Sequence, residues 1–219
     1  GNRDMLKKNS YEKSKGSVLL IVMDGIGITD STEGNAVAAG YTPNLDKLMK
    51  TCPNILLKAH GTAVGLPSDD DMGNSEVGHN AIGAGQVFSQ GAKLVTEAIE
   101  NGSMFQGKGW MEISENCVQN NSTLHFIGLF SDGNVHSHMD HLKAMIKRAA
   151  QEGIRKVRVH ILLDGRDVGE TSALEYVLPF EEFLSGLRSD SFDARIASGG
   201  GRMFITMDRY EADWSIVER

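Results

Sequence analysis

Residues 156–167 read KVRVHILLDGRD, a run of β-branched and aliphatic side chains that ends in an acidic turn. Such a run is typical of a strand that is buried on both faces of a parallel sheet. The same pattern occurs at 124–130 (LHFIGLF) and at 194–197 (ARIA), and helical segments at 141–150 and 171–187 separate the three runs. This β-α-β-α-β order predicts a parallel α/β unit with right-handed crossovers.

The segment that follows each predicted strand carries polar or charged side chains. His136 lies in SDGNVHSH, Arg166 and Asp167 follow the second strand, and Arg202 ends SGGGR after the third. Ligands of open α/β sheets bind beyond the carboxyl ends of the strands. Arginine donates two parallel hydrogen bonds to a carboxylate or a phosphate, and Asp167 can accept from a hydroxyl. The loops therefore predict a site for a ligand that carries both anionic groups. For any single arginine, the alternative is a solvated surface charge.

Three histidines, His136, His138 and His141, lie with Asp140 in one short stretch. Their spacing is not the HExxH signature of a zinc site, and no aligned cysteine or glutamate completes a ligand set. We therefore predict that His136 is an acid/base or phosphate-donor residue and that the other two histidines are structural residues of the loop and the helix start.

Upstream, residues 61–85 read GTAVGLPSDDDMGNSEVGHNAIGAG and present Ser75 among glycines. Glycine allows close backbone approach and positive φ. If a helix begins at Ser75, its unpaired N–H groups and its dipole face a bound anion. The acidic run 69–71 makes the region negative, so a phosphate bound here would also need a cation. The alternative interpretation is a glycine-rich surface turn.

Two further strands are predicted before this stretch, at 17–23 (SVLLIVM) and at 55–60. Asp24 follows the first of them, where a carboxylate is a common ligand of a hard metal ion, although an Asp-Gly turn is the alternative. The GIG that follows Asp24 lacks the third glycine of a dinucleotide-binding fingerprint, so it does not predict a dinucleotide site. Thr42-Pro43 predicts the start of a helix.

Composition restricts the class of protein. The 219 residues carry a net charge of −7, which argues against a nucleic-acid or anionic-membrane partner. Cys52 and Cys117 form neither a CxxC pair nor a disulfide framework, so a reducing, cytoplasmic location is expected. No apolar run approaches the roughly 20 residues needed to span a bilayer. We interpret residues 1–16 as a flexible extension and predict a domain crossover between 17–88 and 89–219.

Five motifs now point to a family: VMDGIG around Asp24, LPSDDDMGNSEVGHNAIGAG around Ser75, FSDGNVHSH, LLDGRDV, and GGGRM with MDRYEADW. Together they resemble the cofactor-independent phosphoglycerate mutases, in the family's order and at compatible spacing, from residue 17 onward. The wording of several motifs is similar to the plant and trypanosomatid type.

The resemblance implies an enzyme that interconverts 3-phosphoglycerate and 2-phosphoglycerate without 2,3-bisphosphoglycerate. Its implied fold is a parallel-sheet, alkaline-phosphatase-like α/β domain, of which residues 17–88 are the amino-terminal part, with a smaller α/β transferase domain inserted, of which 89–219 are an incomplete copy. It also implies two divalent metal ions, manganese with cobalt or magnesium as alternatives, and a monomer at full length. The functional positions that it implies are Ser75 as nucleophile and metal ligand, Asp24 as metal ligand, and His136, Arg166, Asp167, Arg202 and Arg209 as substrate-binding residues.

The chain departs from this family in length, since members run to more than twice 219 residues. We therefore expect an amino-terminal fragment without mutase activity of its own. Two alternatives stay open: another metal-dependent phosphatase or phosphomutase of the same superfamily, such as a phosphopentomutase, and a non-catalytic phosphate-binding module. Another phosphatase or phosphomutase of the superfamily is not expected to carry DGRDV and GGGR in this order.

Overall fold

The computed structural model describes residues 10–12, 14–207, 211–213 and 215. These residues fall into two compact units, Gly1–Leu56 and Leu57–Arg219. The predicted domain boundary between residues 88 and 89 stays a prediction.

The first unit contains two helices, α1 (Ala36–Ala39) and α2 (Pro43–Thr51). The side chain of Asn35 caps α1 by accepting from the Ala38 N–H over 3.1 Å. Pro43 occupies the first position of α2, where its missing N–H removes nothing from the helix, as predicted. Thr42 precedes it, but its hydroxyl donates to Asp46 (3.1 Å) instead of capping the backbone.

The predicted strands at 17–23 and 55–60 are wrong for this structure. Neither segment forms a strand, and their apolar side chains face solvent, with Leu19 81% and Leu57 82% exposed. An apolar run indicates what a segment would bury, but a strand also needs a hydrogen-bonded neighbour. Among the described residues, no strand pairs with either segment.

The second unit holds the remaining helices and the strands, which alternate from the first strand onward. Short 3-10 turns at Gly61–Val64 and Ser103–Gln106 accompany them. Among the described residues, none of the helices combines the length and the apolar character needed to cross a bilayer. The elements of this unit are α3 (Ser75–Ala84), α4 (Gly91–Glu100), α5 (Lys108–Gln119), β1 (Thr123–Phe130), α6 (Met139–Gln151), β2 (Lys156–Leu163), α7 (Ala173–Leu187), β3 (Asp193–Gly201) and α8 (Arg202–Ile205).

The predicted parallel unit is confirmed. β2 lies between β1 and β3 and pairs in parallel with both. β3 is longer than predicted, because Gly199, Gly200 and Gly201 continue the ladder with β2 instead of forming a loop. The register shifts opposite Val159 and His160. A Cβ on Gly199 would lie 2.9 Å from the side chain of Ile161, so glycine allows that isoleucine to pack across the strand.

The main core lies on one face of this sheet. Val157, Val159 and Ile161 alternate along β2 and are buried, as expected for a strand whose side chains point to opposite faces. They belong to a cluster that includes Ile146 of α6 and Phe180 of α7. The opposite face is open at β1, where Ile127 is 76% exposed.

Candidate functional site

Ser75 is the first residue of α3, and its side chain is exposed, so the expectation that a helix begins at the serine is confirmed. Asn74 caps the helix by accepting from the Val77 N–H (3.1 Å). Gly73 approaches the backbone so closely that a Cβ there would lie 1.8 Å from the Ala59 carbonyl oxygen. A tight glycine turn followed by a capped helix therefore presents the hydroxyl.

The acidic run before the serine builds its own loop. Asp69 accepts from the backbone N–H (3.0 Å) and the hydroxyl (2.6 Å) of Thr62, and these hydrogen bonds lower the pKa of Asp69. Asp71 accepts from the Ser68 N–H over 2.9 Å. Carboxylates that are used in this way shape the turn that carries Ser75.

A contact across the second unit joins this loop to the segment after β1. Asn134 donates from Nδ2 to Asp71 Oδ1 over 3.3 Å. Asn134 has φ +55°, a left-handed conformation that asparagine tolerates better than most residues. The segment that carries His136 is thereby tied to the loop that carries Ser75.

The start of α3 and the His136 segment line one cavity of about 350 Å³ with both polar and apolar walls, although Ser75 itself does not line it. Asn74 and Glu76, on either side of Ser75, face it together with His136, and the first residues of α4 complete the wall. This volume lies within the usual range for a small-molecule pocket. The structure therefore brings the predicted nucleophile's helix and His136 to the same cavity.

A second cluster lies where β2 and β3 end. Arg202 is 6% exposed, and its Nη2 lies 2.5 Å from Asp164 Oδ1 and 2.9 Å from Asp167 Oδ2. The contact to Asp167 is an ion pair without the alignment of a hydrogen bond. Arg202 and Asp167, both predicted site residues, are thus in direct contact.

Asp164 and Ser131 complete this cluster, and neither was predicted from sequence as a site residue. Ser131 donates to Asp164 Oδ2 (2.5 Å), and the backbone N–H groups of Arg166 and Asp167 donate to Asp164 Oδ1. Burial raises the pKa of Asp164. These hydrogen bonds and Arg202 together lower it by more, so the pKa of Asp164 lies below its usual value. The signal was present, since Asp164 directly follows the buried strand in LLDGRD.

His136 and the side chain of Arg166 line different surfaces. Arg166 and His136 are both exposed, and two cavities that His136 lines in the described part of the chain include neither Arg166 nor Arg202. The loops themselves touch, because a Cβ on Gly133 would lie 3.0 Å from the Asp167 Cβ. Arg209 lies outside the described residues, and the binding roles stay predictions.

The structural interpretation of His138 and His141 is confirmed. His138 caps α6 by accepting from the Asp140 N–H (3.0 Å), and His141 Nε2 lies 2.8 Å from the Thr96 hydroxyl of α4. Burial, with His138 as a second cause, lowers the pKa of His141. Both side chains therefore fix α6 in place.

The predicted metal ligands are Asp24 and Ser75. Asp24 is exposed, and its Oδ1 accepts from the Gly25 N–H over 2.9 Å, as in an Asp-Gly turn. Carboxylate and hydroxyl oxygens suit a hard divalent ion, but such an ion takes about six ligands. Within residues 10–12, 14–207, 211–213 and 215, no three histidine, cysteine or acidic side chains are grouped to hold one. Asp24 and Ser75 each suit such an ion by type, and neither provides enough ligands by itself.

Comparison with known proteins agrees with the motifs. The family described as "BPG-independent PGAM N-terminus" matches residues 95–219. A probable 2,3-bisphosphoglycerate-independent phosphoglycerate mutase of Leptospira interrogans is 57% identical over 215 residues, which is 97% of this chain and 39% of the relative. The 2,3-bisphosphoglycerate-independent phosphoglycerate mutase 1 of Arabidopsis thaliana is 51% identical over 93% of this chain and 36% of its own length.

A solved structure supports the fold. A crystal structure of Leishmania mexicana phosphoglycerate mutase, determined at low cobalt concentration, matches with a TM-score of 0.78 and 50% identity, over 90% of this chain and 36% of that protein. The chain thus spans between about a third and two fifths of the length of these relatives. Since the family pattern covers more than half of the chain, the chain belongs to the BPG-independent phosphoglycerate mutase family, whose amino-terminal part it matches.

Proposed function

We propose that this chain is part of a longer enzyme that interconverts 3-phosphoglycerate and 2-phosphoglycerate through a phosphoserine at Ser75. The observation that carries the proposal is the shared cavity: residues on both sides of Ser75 line it together with His136. A helix amino terminus at the serine favours the negative charge of a phosphoryl group.

The proposed reaction has two steps, and each step breaks one phosphorus–oxygen bond and forms another. In the first, the bond between phosphorus and the substrate oxygen breaks, a bond between phosphorus and Ser75 Oγ forms, and the serine proton ends on the substrate oxygen. In the second, the same exchange returns the phosphoryl group to the neighbouring hydroxyl of the glycerate. A covalent intermediate divides one difficult transfer into two easier ones.

The glycerate must stay bound between the two halves, and we assign this role to His136, Arg166, Asp167, Arg202 and Arg209. Arg202 pairs with Asp164 and Asp167 in this structure, so a substrate anion would compete with those carboxylates for its guanidinium. Guanidinium groups suit this task because they hold carboxylate and phosphate groups with defined geometry.

We further propose that the longer enzyme uses two divalent metal ions, manganese in the first instance, with Asp24 and Ser75 as two of the ligands. When bound, such ions make a serine oxygen more nucleophilic and neutralise phosphoryl charge. Residues 17–88 would then belong to the metal-binding domain and 89–219 to the substrate-binding domain. The proposal also includes a cytoplasmic, monomeric enzyme of glycolysis and gluconeogenesis.

The test is to incubate a full-length enzyme that contains this chain with 3-phosphoglycerate and to map phosphorylation by mass spectrometry. We expect phosphate on Ser75 and formation of 2-phosphoglycerate, both abolished by Ser75→Ala. The 219-residue chain alone should give no turnover in a coupled assay. Ligand binding that is lost in Arg166→Ala, with Ser75 never phosphorylated, would instead identify a phosphate-binding module.

A further inference from the structure

His79 follows Ser75 by about one turn of α3, and its imidazole lies next to Ser75. Its Nδ1 is 2.8 Å from the Ser75 carbonyl oxygen and 3.1 Å from Ser75 Oγ. Residues four apart lie on the same face of a helix, so the spacing in SEVGH produces this contact. None of the roles proposed for Ser75, His136 and the arginines involves His79.

The shorter of the two contacts determines which ring nitrogen carries the proton. A carbonyl oxygen can only accept a hydrogen bond, so Nδ1 must be the donor at 2.8 Å. A protonated Nδ1 has no lone pair with which to take the proton of the serine hydroxyl. In this tautomer His79 is not the general base for Ser75 through Nδ1, and its one N–H is shared between the Ser75 carbonyl oxygen and Ser75 Oγ.

We infer that His79 is a positioning residue whose Nδ1–H holds Ser75 Oγ in one rotamer and stabilises negative charge on that oxygen. The inference rests on the proposed role of Ser75 as the nucleophile. Charge develops on Oγ twice, when the oxygen attacks phosphorus and when it leaves again. A donor that is already in place for both steps lowers both barriers without further reorganisation.

The two amide side chains provide a matched pair of variants. The Nδ2 of asparagine occupies nearly the position of histidine Nδ1, whereas the Nε2 of glutamine corresponds to histidine Nε2. His79→Asn can therefore keep the donor to Ser75, and His79→Gln removes it from this position. Neither residue prevents a helix, so loss of α3 does not explain a difference between them.

Kinetics of the full-length enzyme test the inference. We expect kcat of His79→Gln to fall by about tenfold, the effect of one lost hydrogen bond, with KM unchanged. His79→Asn should retain most of the wild-type kcat, and so should Asn80→Ala, a control at the next, exposed position of α3. The amount of phosphorylated Ser75 formed in a single turnover should follow the same order.

Nitrogen NMR on the 219-residue chain gives a readout that does not depend on activity. We expect the proton of neutral His79 on Nδ1, although Nε2 is the usual site in solution. Two results would overturn the inference and leave the proposed function intact. One is a proton on Nε2, and the other is equal kcat in the asparagine and glutamine variants while Ser75 is still phosphorylated. Absence of Ser75 phosphorylation in the wild-type enzyme would overturn the proposed function, and the inference with it.

Discussion

Arg202 and Asp164 form a buried ion pair at the carboxyl ends of β3 and β2, with 2.5 Å between Nη2 and Oδ1. Arg202 is 6% exposed and Asp164 3% exposed. Charges at such depth are tolerated only when each is paired and its remaining hydrogen-bonding capacity is used. Ser131 and two backbone N–H groups meet this requirement for Asp164.

Replacing Arg202 by methionine should lower the free energy of unfolding by about 3–5 kcal/mol, because it leaves Asp164 buried without its cation. Arg195→Met is the matched control. Arg195 pairs with Asp193 at 2.7 Å but its side chain is 57% exposed, so we expect a loss below about 1 kcal/mol. Urea unfolding followed by circular dichroism measures both, and equal losses would contradict a structural role for the buried pair.

The lowered pKa of Asp164 predicts a pH dependence of stability. Since the folded pKa lies below the usual 3.8, the stabilisation is fully present above that value and is lost as the pH falls through the folded pKa. Asp164→Asn removes this titration. The difference in unfolding free energy between wild type and variant should therefore shrink as the pH falls from about 5 toward 2. A difference that stays constant across this range would show that Asp164 does not titrate differently on folding.

The sheet of the second unit was predictable from sequence because the apolar faces of its strands pack against the apolar faces of the helices that follow them in the chain. Residues 156–163 carry the apolar pattern of a buried strand, and α6 and α7 supply the apolar faces that cover it. The segment 17–23 has an equally strong pattern but forms no strand and has no paired neighbour among the described residues. The local pattern therefore indicated that the segment favours a strand, but it did not show whether a strand forms.

The site was predictable where a local sequence signal decides the conformation. Placing Ser75 at a helix start and Arg202 after β3 needed only local signals. The partner of Arg202 did not follow from them, because the contact joins residues that are 38 apart. The extension of β3 through three glycines was missed because glycine is depleted in strands.

Gly65 and Gly78 should respond in opposite ways to alanine. Gly65 has φ +85°, and a Cβ there would lie 1.7 Å from the Phe88 carbonyl oxygen. Gly65→Ala should therefore destabilise the chain by about 2–4 kcal/mol. Gly78 lies inside α3 with open space around its Cβ position, so Gly78→Ala should stabilise by about 0.5–1 kcal/mol. Unfolding in urea measures both, and a neutral Gly65→Ala would show that the turn before α4 can open freely.

The two thiols should differ in reactivity. Cys117 is buried in the main core, where burial raises its pKa, whereas Cys52 is exposed. Because the thiolate is the reactive form, an aromatic disulfide reagent should label Cys52 rapidly and Cys117 only when the chain unfolds. Cys52→Ser should abolish the fast phase and leave the slow one. A fast phase that persists in this variant would mean that the core around α5 admits the reagent.

Tyr176 should titrate later than an ordinary tyrosine. Burial, followed by the hydrogen bond that its hydroxyl donates to Asp132 (2.8 Å), raises its pKa to about 12. The neutral phenol is the form that the fold favours, so its stabilisation is present below pH 10 and is lost as the pH rises toward 12. Near-ultraviolet absorbance should therefore show a tyrosine component that ionises near pH 12, while circular dichroism verifies that the chain is still folded. Tyr176→Phe should remove this late component, and loss of an early component instead would place Tyr176 in contact with solvent and apart from Asp132.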